Sequence, residues 1–200
     1  MTKRSQPRRA VFSDRDGTLN EDIGYLSRAE QMRLLPGVDT AVRRLNDGGI
    51  PFVVLTNQSG VARGLIDPDF AGQGRLHLSR LLAGTGARVD GYYHCPHHPE
   101  GRPPFNIHCD CRKPGSAMLK RAERDLNLSL PGSFMIGDKL SDVQTGAALG
   151  IVPLLVRTGT GRECEPELPP DFSGRGGRVF DDFPASVDWL LQHWDPGATR

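Results

Sequence analysis

Ala10-Val11-Phe12-Ser13-Asp14-Arg15-Asp16-Gly17-Thr18 is a short apolar run, rich in strand formers, that ends in two aspartates one residue apart. The run predicts a buried strand stopped by polar residues. Both aspartates lie just past its end and can reach one pocket, and Gly17 lets the chain turn sharply behind them. The same design recurs. Pro51 to Leu55 ends at Thr56-Asn57, Phe134-Met135-Ile136 ends at Gly137-Asp138, and Val152 to Val156 ends at Arg157-Thr158-Gly159. Helical patterns fall between these runs. Val38, Ala41, Val42 and Leu45 share one helical face, closed by Gly48-Gly49. Leu76 to Leu82, Ala117 to Leu126, Val143 to Leu149 and Ala185 to Trp194 also carry helical spacing. Strands alternating with helices predict an α/β fold, a Rossmann-like parallel sheet with helices on both faces.

The 200 residues suit a single domain, 1–200, large enough to bury a core without disulfide staples. With 25 basic and 24 acidic residues the chain has no general electrostatic footprint for nucleic acid or an anionic membrane, and neither is expected as a partner. No apolar run approaches the roughly 20 residues of a spanning helix. Residues 1–9 are polar and basic, without the apolar segment of a signal peptide, and are expected to form a flexible, solvated tail. The expected setting is the cytoplasm and the expected state a monomer. His94 to Pro114 and Glu163 to Arg178 break the alternation and are expected to be irregular.

Chemistry is expected at the strand ends, because ligands of open parallel sheets bind beyond the carboxyl ends of the strands. Asp14, Thr56 and Asp138 each stand at such an end although far apart in sequence. A carboxylate can attack phosphorus and split one hard step into two, and a second carboxyl can protonate the leaving oxygen and then activate water. Carboxylates facing a phosphate repel it, so a divalent cation is needed; Mg2+ suits hard oxygen ligands. Asp138 would complete that metal site, supported by Asp142 one helical turn later. An isolated Asp-x-Asp-Gly is equally well a strand-end turn, and the companion segments weigh against that.

Three of the four cysteines crowd into one segment: Cys95-Pro96-His97, then eleven residues (98–108), then Cys109-Asp110-Cys111. Three thiolates and an imidazole make a tetrahedral Zn2+ set, with His94, His98 and His108 as competitors for the fourth position. A closed four-ligand site is structural, and it would order a loop, 94–114, that has little apolar pattern of its own. Arg112-Lys113 follow directly, so zinc could hold both cations over a substrate. Cys164 stands alone in a polar loop and reads as a bystander.

Four segments in order resemble the haloacid dehalogenase (HAD) superfamily of phosphatases: Asp14-Arg15-Asp16-Gly17-Thr18, Val53-Val54-Leu55-Thr56-Asn57, Arg112-Lys113-Pro114 and Gly137-Asp138-Lys139-Leu140-Ser141-Asp142. Ser13 departs slightly, since an apolar residue is commoner before the first motif. The resemblance implies a HAD-like fold, with Asp14 as nucleophile and Asp16 as general acid and base. Asp16 would lend its backbone carbonyl to a magnesium site with Asp14 and Asp138. Thr56 would grip the phosphoryl group and Lys113 would neutralise its charge. No large cap domain is expected, because Thr18–Val38 and Gly60–Asp69 are too short for one. Thr56 to Gly64, Cys95 to Pro99 and Cys109 to Pro114 together are similar to the D-glycero-D-manno-heptose 1,7-bisphosphate 7-phosphatases, bacterial enzymes on the route to nucleotide-activated heptose for lipopolysaccharide and other surface glycans. That likeness implies substrate-binding roles for Asp22, Tyr25, Asn57, Gln58, Ser59, Arg112 and Lys139, with Arg112 on the second phosphate or sugar hydroxyls. Lys139 could contact phosphate or order its own loop. The histidinol-phosphate phosphatases share the motifs and the zinc loop, but theirs look shorter between the histidine and the second cysteine pair. A reading of another class, a zinc-containing binding module without catalysis, would require lost motif residues, and every one is present.

Overall fold

In the computed structural model, which describes residues 6–195, the apolar runs line up as one parallel sheet. Its strands are β1 (Arg8–Ser13), β2 (Phe52–Asn57), β3 (Gly91–Cys95), β4 (Leu128–Gly137), β5 (Val152–Val156) and β6 (Arg178–Phe180), in the order β3-β2-β1-β4-β5-β6. The chain winds outward from β1 to β3, then returns to the other side of β1 and winds outward again. The switch therefore lies between β1 and β4, which pair through Val11–Phe134, Phe12–Met135 and Ser13–Ile136. The helices are α1 (Val38–Asp47), α2 (Ser59–Ala62), α3 (Pro68–Gly72), α4 (Gly74–Leu82), α5 (Ala117–Leu126), α6 (Leu140–Thr145), α7 (Gly161–Cys164) and α8 (Phe183–His193).

Strand alternation sorts the core into two layers. Val11, Phe52, Val54, Ile136, Leu154 and Val156 face one way, where Val42 and Leu45 of α1, Leu78 of α4, and Phe183, Val187 and Leu190 of α8 cover them. Ala10, Phe12, Val53, Leu55 and Met135 face the other way, against Met118, Leu119 and Ala122 of α5. Beside this second layer, Val143 of α6 packs with Leu155 and Phe172. Helices thus lie on both faces. Asp182 caps α8 by accepting from the Ala185 N–H at 2.8 Å, and Pro184 sits in its first turn.

Several boundaries differ from expectation. Residues 1–5 lie outside the described part, but Arg8 and Arg9 belong to β1 rather than to a tail. Arg9 Nη1 donates to the Gly132 carbonyl at 3.4 Å, and the guanidinium lies over the Trp194 ring. His94 is a residue of β3, so the irregular segment starts one strand-end later than expected. β3 and β6 are the edges of the sheet; their half-buried, polar-tolerant sequences carry no continuous apolar run. α6 starts at Leu140, three residues before the expected Val143, and Gly146 ends it ahead of a separate 3-10 turn at Ala147–Leu149. No helix among the described residues is long and apolar enough to cross a membrane.

Phe183 is fully buried and meets Phe52 edge-on, with ring centroids 5.8 Å apart. Phe183→Ala removes this contact from the joint of α8 and the sheet, and is expected to cost about 3–5 kcal/mol in urea unfolding, with the chain still folded in water.

Candidate active site

Three carboxylates converge beyond the switch between β1 and β4. Asp14 follows β1, Asp138 follows β4, and Asp142 projects from the first turn of α6; a carboxylate oxygen from each lies within 4.8 Å of the others, and all three residues are buried. Lys113, from the segment before α5, brings its Nζ to this cluster. It donates to Asp14 Oδ1 at 2.6 Å and to the Leu55 carbonyl at 2.8 Å, and pairs with Asp142 Oδ1 at 2.7 Å. Burial opposes the ammonium charge, but Asp14 and Asp142 hold the Lys113 pKa above its ordinary value. Burial pushes the Asp14 carboxyl up to about 7 against the pull of Lys113, with Asp142 and Asp138 adding to the rise. Asp138 is raised too, first by burial. An all-oxygen cluster whose members resist joint ionisation is a good site for a hard divalent cation, so the residues fit Mg2+. Asp138 is held by the Thr160 N–H at 3.0 Å and by the Thr160 and Thr18 hydroxyls at 3.2 and 3.4 Å.

The side chain of Asp16 stands apart from this cluster. Burial would raise its pKa, yet it is lowered, because Arg15, Asn20 and Gln58 all donate to the carboxylate. Arg15 grips both oxygens, Nε to Oδ1 at 3.0 Å and Nη2 to Oδ2 at 2.7 Å; Asn20 Nδ2 adds a bond of 2.9 Å and Gln58 Nε2 one of 3.0 Å. Gln58 Nε2 also donates to Thr56 Oγ1 at 2.8 Å, which ties the end of β2 to the first loop. Asn57 serves the backbone. Its Oδ1 accepts from the Lys113 N–H at 3.0 Å and its Nδ2 donates to the Lys113 carbonyl at 3.2 Å.

The three thiols and one imidazole of the loop also meet. Cys95–Cys109, Cys95–Cys111 and Cys109–Cys111 sulfurs are 3.6, 3.1 and 3.1 Å apart, and His97 Nδ1 lies 3.3 Å from Cys111 Sγ and 3.8 Å from Cys95 Sγ. These are too long for disulfides; the 3.6 Å pair approaches the edge of about 3.8 Å that Zn–S bonds of about 2.3 Å imply for a tetrahedron, and the two 3.1 Å pairs would open by a few tenths of an ångström to hold the ion. The donor set fits Zn2+. His97 is the nitrogen in the cluster. His94 instead sits beside Tyr92, and His98 faces Arg63.

Comparison with known proteins gives this geometry relatives. The HAD-hydrolase-like family profile matches residues 110–185. The D-glycero-beta-D-manno-heptose-1,7-bisphosphate 7-phosphatase of Haemophilus ducreyi is 40% identical over 170 residues, covering 82% of this chain and 91% of that protein. The corresponding D-glycero-D-manno-heptose enzyme of Thermosynechococcus vestitus is 38% identical over 202 residues, covering 95% and 99%. The crystal structure of the D,D-heptose 1,7-bisphosphate phosphatase of B. bronchiseptica, complexed with magnesium and phosphate, superimposes with a TM-score of 0.82 at 35% identity, covering 93% and 99%.

The chain belongs to the heptose bisphosphate phosphatase family of HAD-like hydrolases. It is an enzyme of the phosphomonoesterase class.

Around this centre the other positions that resemblance to the family marks have distinct surroundings. Lys139 Nζ lies between Asp22 Oδ2 at 3.1 Å and Asp138 Oδ2 at 3.7 Å, so it links the first loop to the carboxylates. Asp22 also accepts from the Gly24 N–H. Tyr25 is 43% exposed, with its ring over Gly60. Ser59 opens α2, and Arg112 keeps a buried Nη1 without a hydrogen-bond partner. Asn57 and Gln58 are occupied with Lys113, Asp16 and Thr56, which makes them supports of other site residues rather than free donors. Sequence reasoning gave no role to Arg15 or Thr160, and marked Asn20 only as the start of the stretch Asn20 to Tyr25 that resembles the family's substrate-contacting segment. Only Arg15 had a visible signal: a cation between two site aspartates, directly behind a buried strand.

Asn57→Ala removes both hydrogen bonds to the Lys113 backbone and is expected to lower stability by about 2 kcal/mol. Displacement of Lys113 should lower kcat roughly tenfold, measured as phosphate release beside thermal unfolding of the same preparation.

Proposed function

We propose that the protein hydrolyses the 7-phosphate of D-glycero-D-manno-heptose 1,7-bisphosphate through an aspartyl-phosphate on Asp14. The observation that carries this reading is the buried Asp14 carboxylate, held at the sheet's switch point by Lys113 and flanked by Asp138 and Asp142. The substrate rests on the relatives, whose names state that bisphosphate and that position. An Asp14 oxygen attacks phosphorus in line, the bond from phosphorus to the C7 oxygen breaks, and Asp16, which must enter this step protonated against the pull of its N–H donors, gives that oxygen a proton. Asp16 then takes a proton from water as the water's oxygen attacks phosphorus, releasing phosphate and restoring Asp14. Lys113 and the Thr56 hydroxyl face the negative charge of the transferring group, a contribution of positioning and electrostatics. Asp22, Tyr25, Ser59, Arg112 and Lys139 are proposed to hold the sugar and its second phosphate, with Asn57 and Gln58 keeping the phosphoryl pocket in shape. Arg112 suits an anion because its buried Nη1 has no partner and a guanidinium fork matches phosphate.

Mg2+, bound among Asp14, Asp138 and the Asp16 carbonyl, with Asp142 in support, supplies positive charge that lets an anionic ester approach anionic carboxylates. Zn2+ is the proposed structural ion at Cys95, His97, Cys109 and Cys111. A site of this kind needs its cysteines reduced, and a reducing cytoplasm is the proposed working compartment.

Steady-state phosphate release from both anomers of the heptose bisphosphate and from histidinol phosphate tests the substrate. A preference of about a hundredfold in kcat/KM for one heptose anomer, ~2.7 kcal/mol, is expected. Preference for histidinol phosphate would overturn the substrate but not the chemistry. Asp14→Asn should abolish turnover while the fold persists, and substantial residual turnover would remove Asp14 as nucleophile.

A second expectation concerns pH. A carboxyl raised in the folded state from 3.8 to about 7 binds its proton more tightly folded than unfolded. Its contribution to stability therefore falls as pH rises across that window. Mg2+ competes with this proton, so the rise in Tm on adding Mg2+ to metal-free protein should be larger at about pH 8 than at about pH 5.5. An equal rise at both would show that the ion binds without displacing it.

A further inference from the structure

Arg15 lies between the two aspartates of the first loop, yet its side chain is turned inward and only 1% of the residue is exposed. A guanidinium this deeply buried must be fully bonded, and the bonds it makes define a chain. Nε and Nη2 hold the two oxygens of Asp16, and Nη1 donates to Tyr92 Oη at 2.9 Å. Tyr92 belongs to β3, the edge strand, at the rung paired with Val54. Its hydroxyl reaches inward because Gly74 opens α4 without a side chain; a Cβ there would collide with Tyr92 Oη.

We infer that Tyr92 and Arg15 are positioning residues for proton transfer: the edge-strand hydroxyl fixes the guanidinium, and the guanidinium fixes the plane of the Asp16 carboxyl. The terminal torsion of an aspartate is broad, so donors rather than the rotamer set where its oxygens point. A two-pronged grip orients both oxygens at once, and the four N–H donors favour the ionised carboxyl, the form that receives a proton from water. The guanidinium itself rides on a long stem, and among its described contacts Tyr92 is the one outside the first loop. Asn20 and Gln58 hold the same carboxyl from other sides and would retain it in the site, but with a looser orientation, once the Tyr92 bond is lost. The inference rests on the proposed role of Asp16 as proton donor to the leaving oxygen.

Leaving-group dependence separates this role from a merely structural one. A sugar alkoxide needs a proton as it departs, whereas nitrophenolate leaves without one. The experiment compares first-turnover release of the leaving group from the heptose bisphosphate and from p-nitrophenyl phosphate, with Mg2+ present, for the unmodified protein, Tyr92→Phe, Gly74→Ala and Asp16→Asn. Tyr92→Phe removes only the hydroxyl, and Gly74→Ala keeps it but pushes it off Arg15. Both are expected to slow sugar release about tenfold, to leave nitrophenolate release within about twofold, and to leave KM for the sugar unchanged. Asp16→Asn should slow both, and sugar release far more than nitrophenolate release. Equal slowing on both esters, a change confined to KM, or no change in Tyr92→Phe and Gly74→Ala would overturn the positioning role while the split in Asp16→Asn stood. Absence of the split in Asp16→Asn would instead overturn the proton-donor reading, and this inference with it. Thermal unfolding of each variant identifies any that fails to fold, and the two relay variants provide independent routes to the same answer.

Discussion

The ammonium of Lys113 is the contact on which the centre depends. Three buried carboxylates with oxygens within 4.8 Å of one another would repel, and the interior cannot screen them as water does. Lys113 touches two of them and a backbone carbonyl of β2, so the cation is part of the sheet's end as well as of the charge cluster. Its own position is not given by regular structure. It stands in the irregular stretch between β3 and α5, where Asn57 fixes its backbone from both sides and the Cys/His cluster lies two residues before it. The chemistry of β1 and β4 therefore depends on a segment that has almost no apolar core of its own.

Winding order explains why these parts meet. A sheet that runs outward from β1 and then returns past it leaves a crevice between β1 and β4, and the loops after those strands open on either side of it. β2 contributes from the neighbouring place, which is why Thr56 and Gln58 reach the first loop. β3 is one place further out. It reaches the centre only through intermediaries: Tyr92 by way of Arg15, and Cys95 by way of the loop that it anchors.

Much of this was legible in the sequence because it follows from local rules. Apolar runs that stop at Asp14, Thr56 and Asp138 announce the strand ends, and the Cys/His spacing announces the donor cluster. The edge strands were less legible. β3 reads Gly-Tyr-Tyr-His-Cys, and a strand with one open side does not need an unbroken apolar run. Side-chain direction was also hidden. Nothing in the spacing shows that Asn57 turns to the Lys113 backbone, that Thr160 reaches back to Asp138, or that Arg15 folds inward beside its neighbour. Such choices depend on hydrogen-bond needs that arise only after burial, when a desolvated donor must find whichever acceptor the fold has placed nearby.

The anchors of Lys113 have a consequence for how such an enzyme can diversify. Cys95 and Asn57 occupy the same rung of the β2–β3 pair. One ends the strand that starts the loop, and the other holds the loop's far end. Between them the stretch 98–108 departs from and returns to positions that its own sequence does not determine. Its middle is tied to α2 and the loop after it, since the Arg102 N–H donates to the Ala62 carbonyl at 2.6 Å and Phe105 packs with Val61 and Ile66. Changes in this stretch would therefore be felt first at α2, and the lysine would keep its place as long as Asn57 and the Cys/His cluster keep theirs.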